Sequence, residues 1–343
     1  MPHAVEAEDL RKTFKGGVQA LAGVSFVVEE GTVFGLLGPN GAGKTTAVRI
    51  LTTTLRPDGG RATVLGRDVV RQAATVRTII GLAGQFAAVD ENLTGRENLR
   101  MVGRLNHLPN RVVAERSGEL LELFDLVDAA DRTLKTYSGG MRRRLDVAAA
   151  LVAHPPVLFL DEPTTGLDPQ SRLDLWGVIE RLVEGGTTVL LTTQYLEEAD
   201  RLARRVAVVD RGQVIADGTP AELKSRLGAT VIEIGLADAE TAQRVAAMLQ
   251  PSTSTPVHVL DKVVEVTVES GPRAAMEALR ALDQAGVEPL TFVLREPSLD
   301  DVFLSLVGRK AEEAVAGDGA APAAGGQRRG ERGGRGVPAG ARS

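Results

Sequence analysis

Gly38-Pro39-Asn40-Gly41-Ala42-Gly43-Lys44-Thr45 is the stretch on which the reading of this 343-residue chain turns. It follows the apolar run Val33 to Leu37 and leads into Thr46 to Leu55, a run with helical spacing. A glycine-rich loop closing on Lys-Thr, after a strand and before a helix, is the pattern of a phosphate-cradling loop. The chemistry asks for these residue types. Glycines let successive backbone N–H groups curl around phosphate oxygens with no Cβ in the way. Lys44 brings a point charge to the outer phosphates, and the Thr45 hydroxyl is a hard oxygen suited to Mg2+.

Outward from the loop the same alternation continues. Val157 to Leu160, Thr188 to Thr192 and Val206 to Val209 join Val33 to Leu37 as apolar runs that read as buried strands, separated by helical stretches. This predicts an α/β sheet flanked by helices from Glu6 to about Leu227. Asn98 to Val127, with Leu120, Leu121, Phe124 and Val127 at helical spacing, reads as a helical subdomain inserted in the sheet domain. Beyond Gly228 the order becomes strand Thr230 to Leu236, helix Asp238 to Leu249, strand Val257 to Leu260, strand Val263 to Val268, helix Pro272 to Ala285 and strand Pro289 to Leu294. That βαββαβ order predicts a small α+β domain of the split βαβ kind. A last helix, about Ser298 to Val307, opens on a serine N-cap with Asp300 and Asp301 in its first turn. From Ala311 to Ser343 the chain is Gly, Ala, Pro and Arg with almost no bulky apolar residue, and is expected to be disordered.

The run Val157-Leu158-Phe159-Leu160-Asp161-Glu162 is a strand ending in two acids, which puts Asp161 at the carboxyl edge of the sheet, where α/β folds bind ligands. Asp161 is a candidate Mg2+ ligand, and Glu162 a candidate acceptor for the proton of an attacking water. Two acids after a strand are more often loop solubilisers, and it is the phosphate loop upstream that favours chemistry.

With Tyr137-Ser138-Gly139-Gly140-Met141 before Asp161-Glu162-Pro163, and Gly166-Leu167-Asp168 after them, the chain resembles the ABC-type ATPases in their signature, Walker B and D-loop series. The likeness covers about Glu6 to Leu227 and implies a P-loop NTPase of ABC type that binds and hydrolyses ATP with Mg2+. It implies nucleotide-binding roles for Phe14 and for Gly38, Pro39, Asn40, Gly41, Ala42, Gly43, Lys44, Thr45 and Thr46. Ser138, Gly139 and Gly140 are implied to contact the ATP held by a partner subunit in a head-to-tail homodimer, with Asp168 in the D-loop. Gln85 matches the glutamine that reaches Mg2+ or the attacking water, beside Thr45 and Asp161 as metal-site residues. For Phe14 the competing expectation is a buried core aromatic.

The sequence departs from the family at Gln194, where most members carry histidine. Glutamine can hydrogen-bond a γ-phosphate but cannot become cationic or shuttle a proton. Slow turnover with no histidine-like titration is therefore expected, with Glu162, Gln194 and Gln85 as the catalytic set. Gln194, together with Leu294-Arg295-Glu296-Pro297-Ser298-Leu299-Asp300-Asp301-Val302-Phe303, is similar to the daunorubicin-resistance ATPases. That likeness implies a bacterial protein at the cytoplasmic face of the cell membrane. It further implies that the protein energises a separately encoded integral membrane permease that exports a hydrophobic drug or antibiotic. The expected domains are then 1–227 (ATP-binding, helical subdomain about 86–150), 228–308 (accessory) and 309–343 (tail).

Composition narrows the rest. An apolar content of 43% is ordinary for a globular chain. The absence of cysteine excludes disulfides, thiolate metal sites and cysteine nucleophiles. A net charge of -5 gives no general attraction to nucleic acid, and no nucleic-acid partner is expected. The N-terminus has no basic and apolar signal pattern, and no apolar run reaches the length of a membrane span. Two other functions remain open. One is an ABC-type ATPase acting on nucleic acid or the ribosome, supported only by the five arginines from Arg328 to Arg342. The other is an ATP-binding regulator with little turnover, against which Glu162 speaks.

Overall fold

The computed structural model describes residues 2–84, 89–225, 230–252, 257–268 and 271–303. The boundary expected at 227/228, the tail from 309 and Gln85 all lie outside the described residues. In chain order the first elements are β1 (His3–Thr13), β2 (Gln19–Glu29), β3 (Val33–Leu37), α1 (Lys44–Leu51), β4 (Gly59–Val64), β5 (Arg67–Asp68), α2 (Ala73–Thr78) and β6 (Ile80–Ala83). A helical stretch follows with α3 (Gly95–Leu105), α4 (Asn110–Leu123) and α5 (Gly139–Ala150). Strands resume with β7 (Val157–Asp161), α6 (Pro169–Glu184), β8 (Thr188–Thr193), α7 (Leu196–Leu202), β9 (Arg205–Asp210), β10 (Gln213–Gly218) and α8 (Pro220–Ser225). The last elements are β11 (Thr230–Gly235), α9 (Ala239–Leu249), β12 (His258–Leu260), β13 (Val263–Val268), α10 (Gly271–Gln284) and β14 (Thr291–Arg295).

Every residue of β3, β7 and β8 is buried, which is why these strands read as unbroken apolar runs and not as alternating ones. They lie in a six-stranded sheet of order β10-β9-β3-β8-β7-β6, parallel except for β10 at one edge. Nothing in the sequence pattern points to the second sheet, an antiparallel β2-β1-β4-β5. Its long first strand hides behind exposed charges and a break in register between Ala7 and Leu10, where Asp9 takes a left-handed φ of 47° and donates its N–H to Ser25 Oγ at 2.9 Å. Helix α1 packs between the two sheets, sharing one core with Leu10, Leu21, Phe26, Phe34 and Phe159. Phe26 and Phe34 stack with centroids 5.2 Å apart across it.

Helix α1 starts two residues earlier and ends four earlier than the sequence suggests. Thr53, at φ 64°, is left-handed and cannot continue it. The third sheet has the order β12-β13-β11-β14, all antiparallel, with Ile232, Ile234 and Val264 packed against Val245 and Leu282 of α9 and α10. This is the split βαβ arrangement. Residues 299–303 are helical, capped by Ser298 Oγ, which accepts from Asp301 N at 3.2 Å. Arg295 ties this turn to the sheet, reaching Asp301 at 2.7 Å, Glu265 at 2.7 Å and Glu233 at 3.4 Å. Asp301 and Glu265 raise its pKa, with the Asp301 hydrogen bond foremost.

Candidate functional site

The loop from Gly38 to Gly43 leaves the carboxyl end of β3 and feeds α1, so its N–H groups sit at a helix N-terminus. Gly43 is required there. Its φ is 110°, and a Cβ would stand 2.5 Å from Ala20 O and 2.8 Å from Leu21 Cδ2. Lys44, 4% exposed, folds its ammonium back over the loop and donates to Gly38 O at 2.7 Å and Pro39 O at 3.2 Å. Its third neighbour is Glu162 Oε1 at 3.3 Å.

Two strands away, β7 delivers the acid pair. Asp161 Oδ1 accepts from Thr45 Oγ1 at 3.1 Å and from Thr192 Oγ1 at 2.6 Å. Glu162 is one of the non-glycine residues with positive φ, at 51°. Its N–H donates to Thr192 O at 3.1 Å and to Thr192 Oγ1 at 3.0 Å. Thr192, wholly buried at the end of β8, thus steadies both acids, a part the sequence did not reveal. Lys44, Thr45, Asp161 and Glu162 are therefore one constellation, built from two strand ends and one helix start.

Phe14 is not a core aromatic. It is 39% exposed and, with Val18 and Ala20, flanks a cleft of about 270 Å³ that continues over Pro39 and Gly41 to Thr46. Residues 138–140 do not line that cleft. Ser138 caps α5, accepting from Met141 N at 3.2 Å, and Gly139 lines a separate cavity of about 380 Å³ that it shares with Glu162 and Gly166. Asp168 caps α6, accepting from Ser171 N at 2.9 Å and Ser171 Oγ at 2.6 Å, and the hydroxyl bond is the main cause of its lowered pKa. Gln194 directly follows β8, partly buried.

Two further residues were not legible beforehand. Arg143, in α5, spends its guanidinium on backbone carbonyls around the acid pair, and burial pulls its pKa down despite Asp146, Asp161 and Glu198 nearby. Glu198, in α7, is fully buried and accepts from Trp176 Nε1 at 3.0 Å. Burial raises its pKa, against the smaller opposing influence of Thr193, Trp176, Thr164 and Arg172.

A phosphate loop and an acid pair on the next strand but one of this sheet, with a Ser-Gly-Gly helix start in the helical stretch between them, define an ATP-binding cassette ATPase. The ABC transporter family model matches residues 21–165, and the model for the C-terminal domain of DrrA1-3-like ATP-binding proteins matches residues 218–307. The daunorubicin resistance ATP-binding protein DrrA2 of Streptomyces coeruleorubidus is 54% identical over 93% of this chain and 99% of its own length. The daunorubicin/doxorubicin resistance ATP-binding protein DrrA of Streptomyces peucetius is 50% identical over 90% of this chain and 94% of its own. A solved ATP-binding subunit of an ABC transporter aligns with a TM-score of 0.59 at 27% identity, over 65% of this chain and 92% of that one. The chain belongs to the DrrA family of ABC ATP-binding proteins.

Proposed function

We propose that this ATPase works as a homodimer with Mg2+, energising a separate membrane permease that exports a hydrophobic drug or antibiotic from the cytoplasmic side. The observation that carries the reading is the convergence of Lys44, Thr45, Asp161 and Glu162 at two strand ends. Lys44 and the loop N–H groups hold the β- and γ-phosphates, and Phe14 stacks on the base. Glu162 accepts the proton of the attacking water or polarises it, a task for which its contact with Lys44 keeps it aimed at the phosphate end. Gln194 hydrogen-bonds the γ-phosphate, and Gln85 is assigned beside it and the metal.

The residues present suit Mg2+. Thr45 Oγ1 and Asp161 Oδ1 stand 3.1 Å apart, two hard oxygens of the kind that would hold the ion. Among the described residues no group of three or more His, Cys, Asp or Glu forms a metal site, which fits an ion held by few protein ligands plus substrate phosphates. Bound there, Mg2+ supplies charge neutralisation on the phosphate oxygens.

Ser138 to Gly140 do not line the cleft that runs from Phe14 to Thr46, so the second half of the site is assigned to those residues in a second copy. A helix N-terminus with a hydroxyl and a bare glycine N–H suits a γ-phosphate. Export follows the relatives named for drug resistance. Among the described residues no helix is long and apolar enough to cross a membrane, which leaves the pathway to a partner. Glu162→Gln should reduce turnover to a small residual rate and accumulate an ATP-bound dimer in size-exclusion chromatography. An unchanged elution profile and unchanged turnover would favour a regulator that merely binds ATP.

A further inference from the structure

We propose that Arg143 is a positioning residue that fixes the aim of Glu162 and ties it to the helix beginning after Ser138. The proposal rests on Glu162 being the hydrolytic base. Arg143 lies one turn into α5. Its Nε donates to Pro163 O at 2.8 Å, one Nη to Asp161 O at 3.1 Å and Glu162 O at 3.3 Å, and the other to Gly84 O at 2.5 Å and Asp146 Oδ2 at 3.1 Å. All five guanidinium N–H groups are committed.

Three of those acceptors are consecutive carbonyls, those of residues 161, 162 and 163. They can face one guanidinium because Glu162 adopts the left-handed conformation, which a side chain with a Cβ keeps only where its surroundings impose it. Thr192 holds the Glu162 N–H from the opposite side. The Glu162 peptide is thus clamped front and back, and its carboxylate is delivered to Lys44. Gly84 immediately precedes Gln85 in the sequence, so the same guanidinium also holds the backbone next to that residue. Because Arg143 stands on α5, any movement of the helix start reaches the Glu162 peptide without an intermediate side chain. Lysine has three donors on one atom and cannot span acceptors spread over this arc, and glutamine has two.

The test compares Arg143→Gln, Arg143→Lys, Glu162→Gln and the Arg143→Gln/Glu162→Gln double variant, measuring kcat and the Kd of a fluorescent ATP analogue. Arg143→Gln should lower kcat about 100-fold, the scale expected for a reacting group displaced by about an ångström. Its Kd should stay near wild type, and Arg143→Lys should recover part of the loss. In the Glu162→Gln background Arg143→Gln should cost nothing further, since it acts through a group already removed. Independent, additive losses, a fall in affinity matching the fall in kcat, or wild-type kcat in Arg143→Gln would overturn the proposal. Where Arg143→Gln does not fold, Arg143→Lys enters the same cycle with the same criteria. Wild-type turnover in Glu162→Gln would sink the hydrolytic reading and this proposal together. Loss in Glu162→Gln beside an unaffected Arg143→Gln would sink this proposal alone.

Discussion

Glu198→Gln should make the cassette more stable at alkaline pH, although it removes a charge from a buried network. Glu198 is completely buried, Oε1 accepts from Trp176 Nε1, and Oε2 has no hydrogen-bond partner. Thr164 Oγ1 is likewise buried without a bond of good geometry, although it lies close enough to the carboxyl to favour its charged form. Burial outweighs that help and raises the pKa above the unfolded value. For a raised carboxyl pKa, the group's stabilising contribution is complete below the unfolded pKa of about 4.3 and is lost as pH rises through the folded pKa. The loss has a slope of at most about 1.4 kcal/mol per pH unit, one proton's worth. Glutamine is neutral throughout and has no such slope. Its carbonyl keeps the Trp176 bond, and its amide can donate to Thr164 Oγ1, answering an unmet bond of a kind that costs about 1–3 kcal/mol. At pH 8 the variant should therefore exceed wild type by about 1–3 kcal/mol, the gap narrowing toward pH 5. Urea unfolding followed by fluorescence suits the measurement, because Trp176 is the only tryptophan in the chain and touches the mutated group. A variant less stable than wild type at pH 8, or a gap independent of pH, would refute the reasoning.

Gly43→Ala places a Cβ against Ala20 O and Leu21 Cδ2 at a φ of 110°, so the loop must reshape. ATP affinity by titration calorimetry should fall about tenfold or more, and wild-type affinity would show that the loop tolerates the shift. Turnover should be flat from about pH 6 to 7.5, since Gln194 does not titrate, and Gln194→His should introduce an apparent pKa near about 6.5. A wild-type profile that already titrates there after His154 is mutated would contradict the first half. His154 itself, with its pKa pulled down by burial, is the control.

The site's skeleton was legible because parallel strands buried on both faces leave unbroken apolar runs, and because the loop and acid pair sit at their ends. What stayed hidden depends on contacts between distant segments. Arg143 belongs to the charged run Arg142-Arg143-Arg144, which looks like a solvated helix face until its bonds to residues 161–163 are seen. Glu198 sits in Leu196-Glu197-Glu198-Ala199-Asp200, where nothing local marks one acid as buried against Trp176. The sheet β2-β1-β4-β5 was concealed by the bulge at Asp9, which breaks the alternation a half-buried strand normally displays. The left-handed backbone at Glu162 has no signature in composition, since glutamate is a poor choice for it.

Strand β8 lies between β3 and β7, so the loop carrying Lys44 and the turn carrying Glu162 leave the sheet two strand spacings apart, about 10 Å. Side chains from either bank then narrow that interval to 3.1 Å between Thr45 and Asp161. The interval is a gauge block whose width is written in backbone hydrogen bonds and is therefore indifferent to which residues line it. Substitutions can change what grips a ligand inside the gauge, but only a different strand order would change its width.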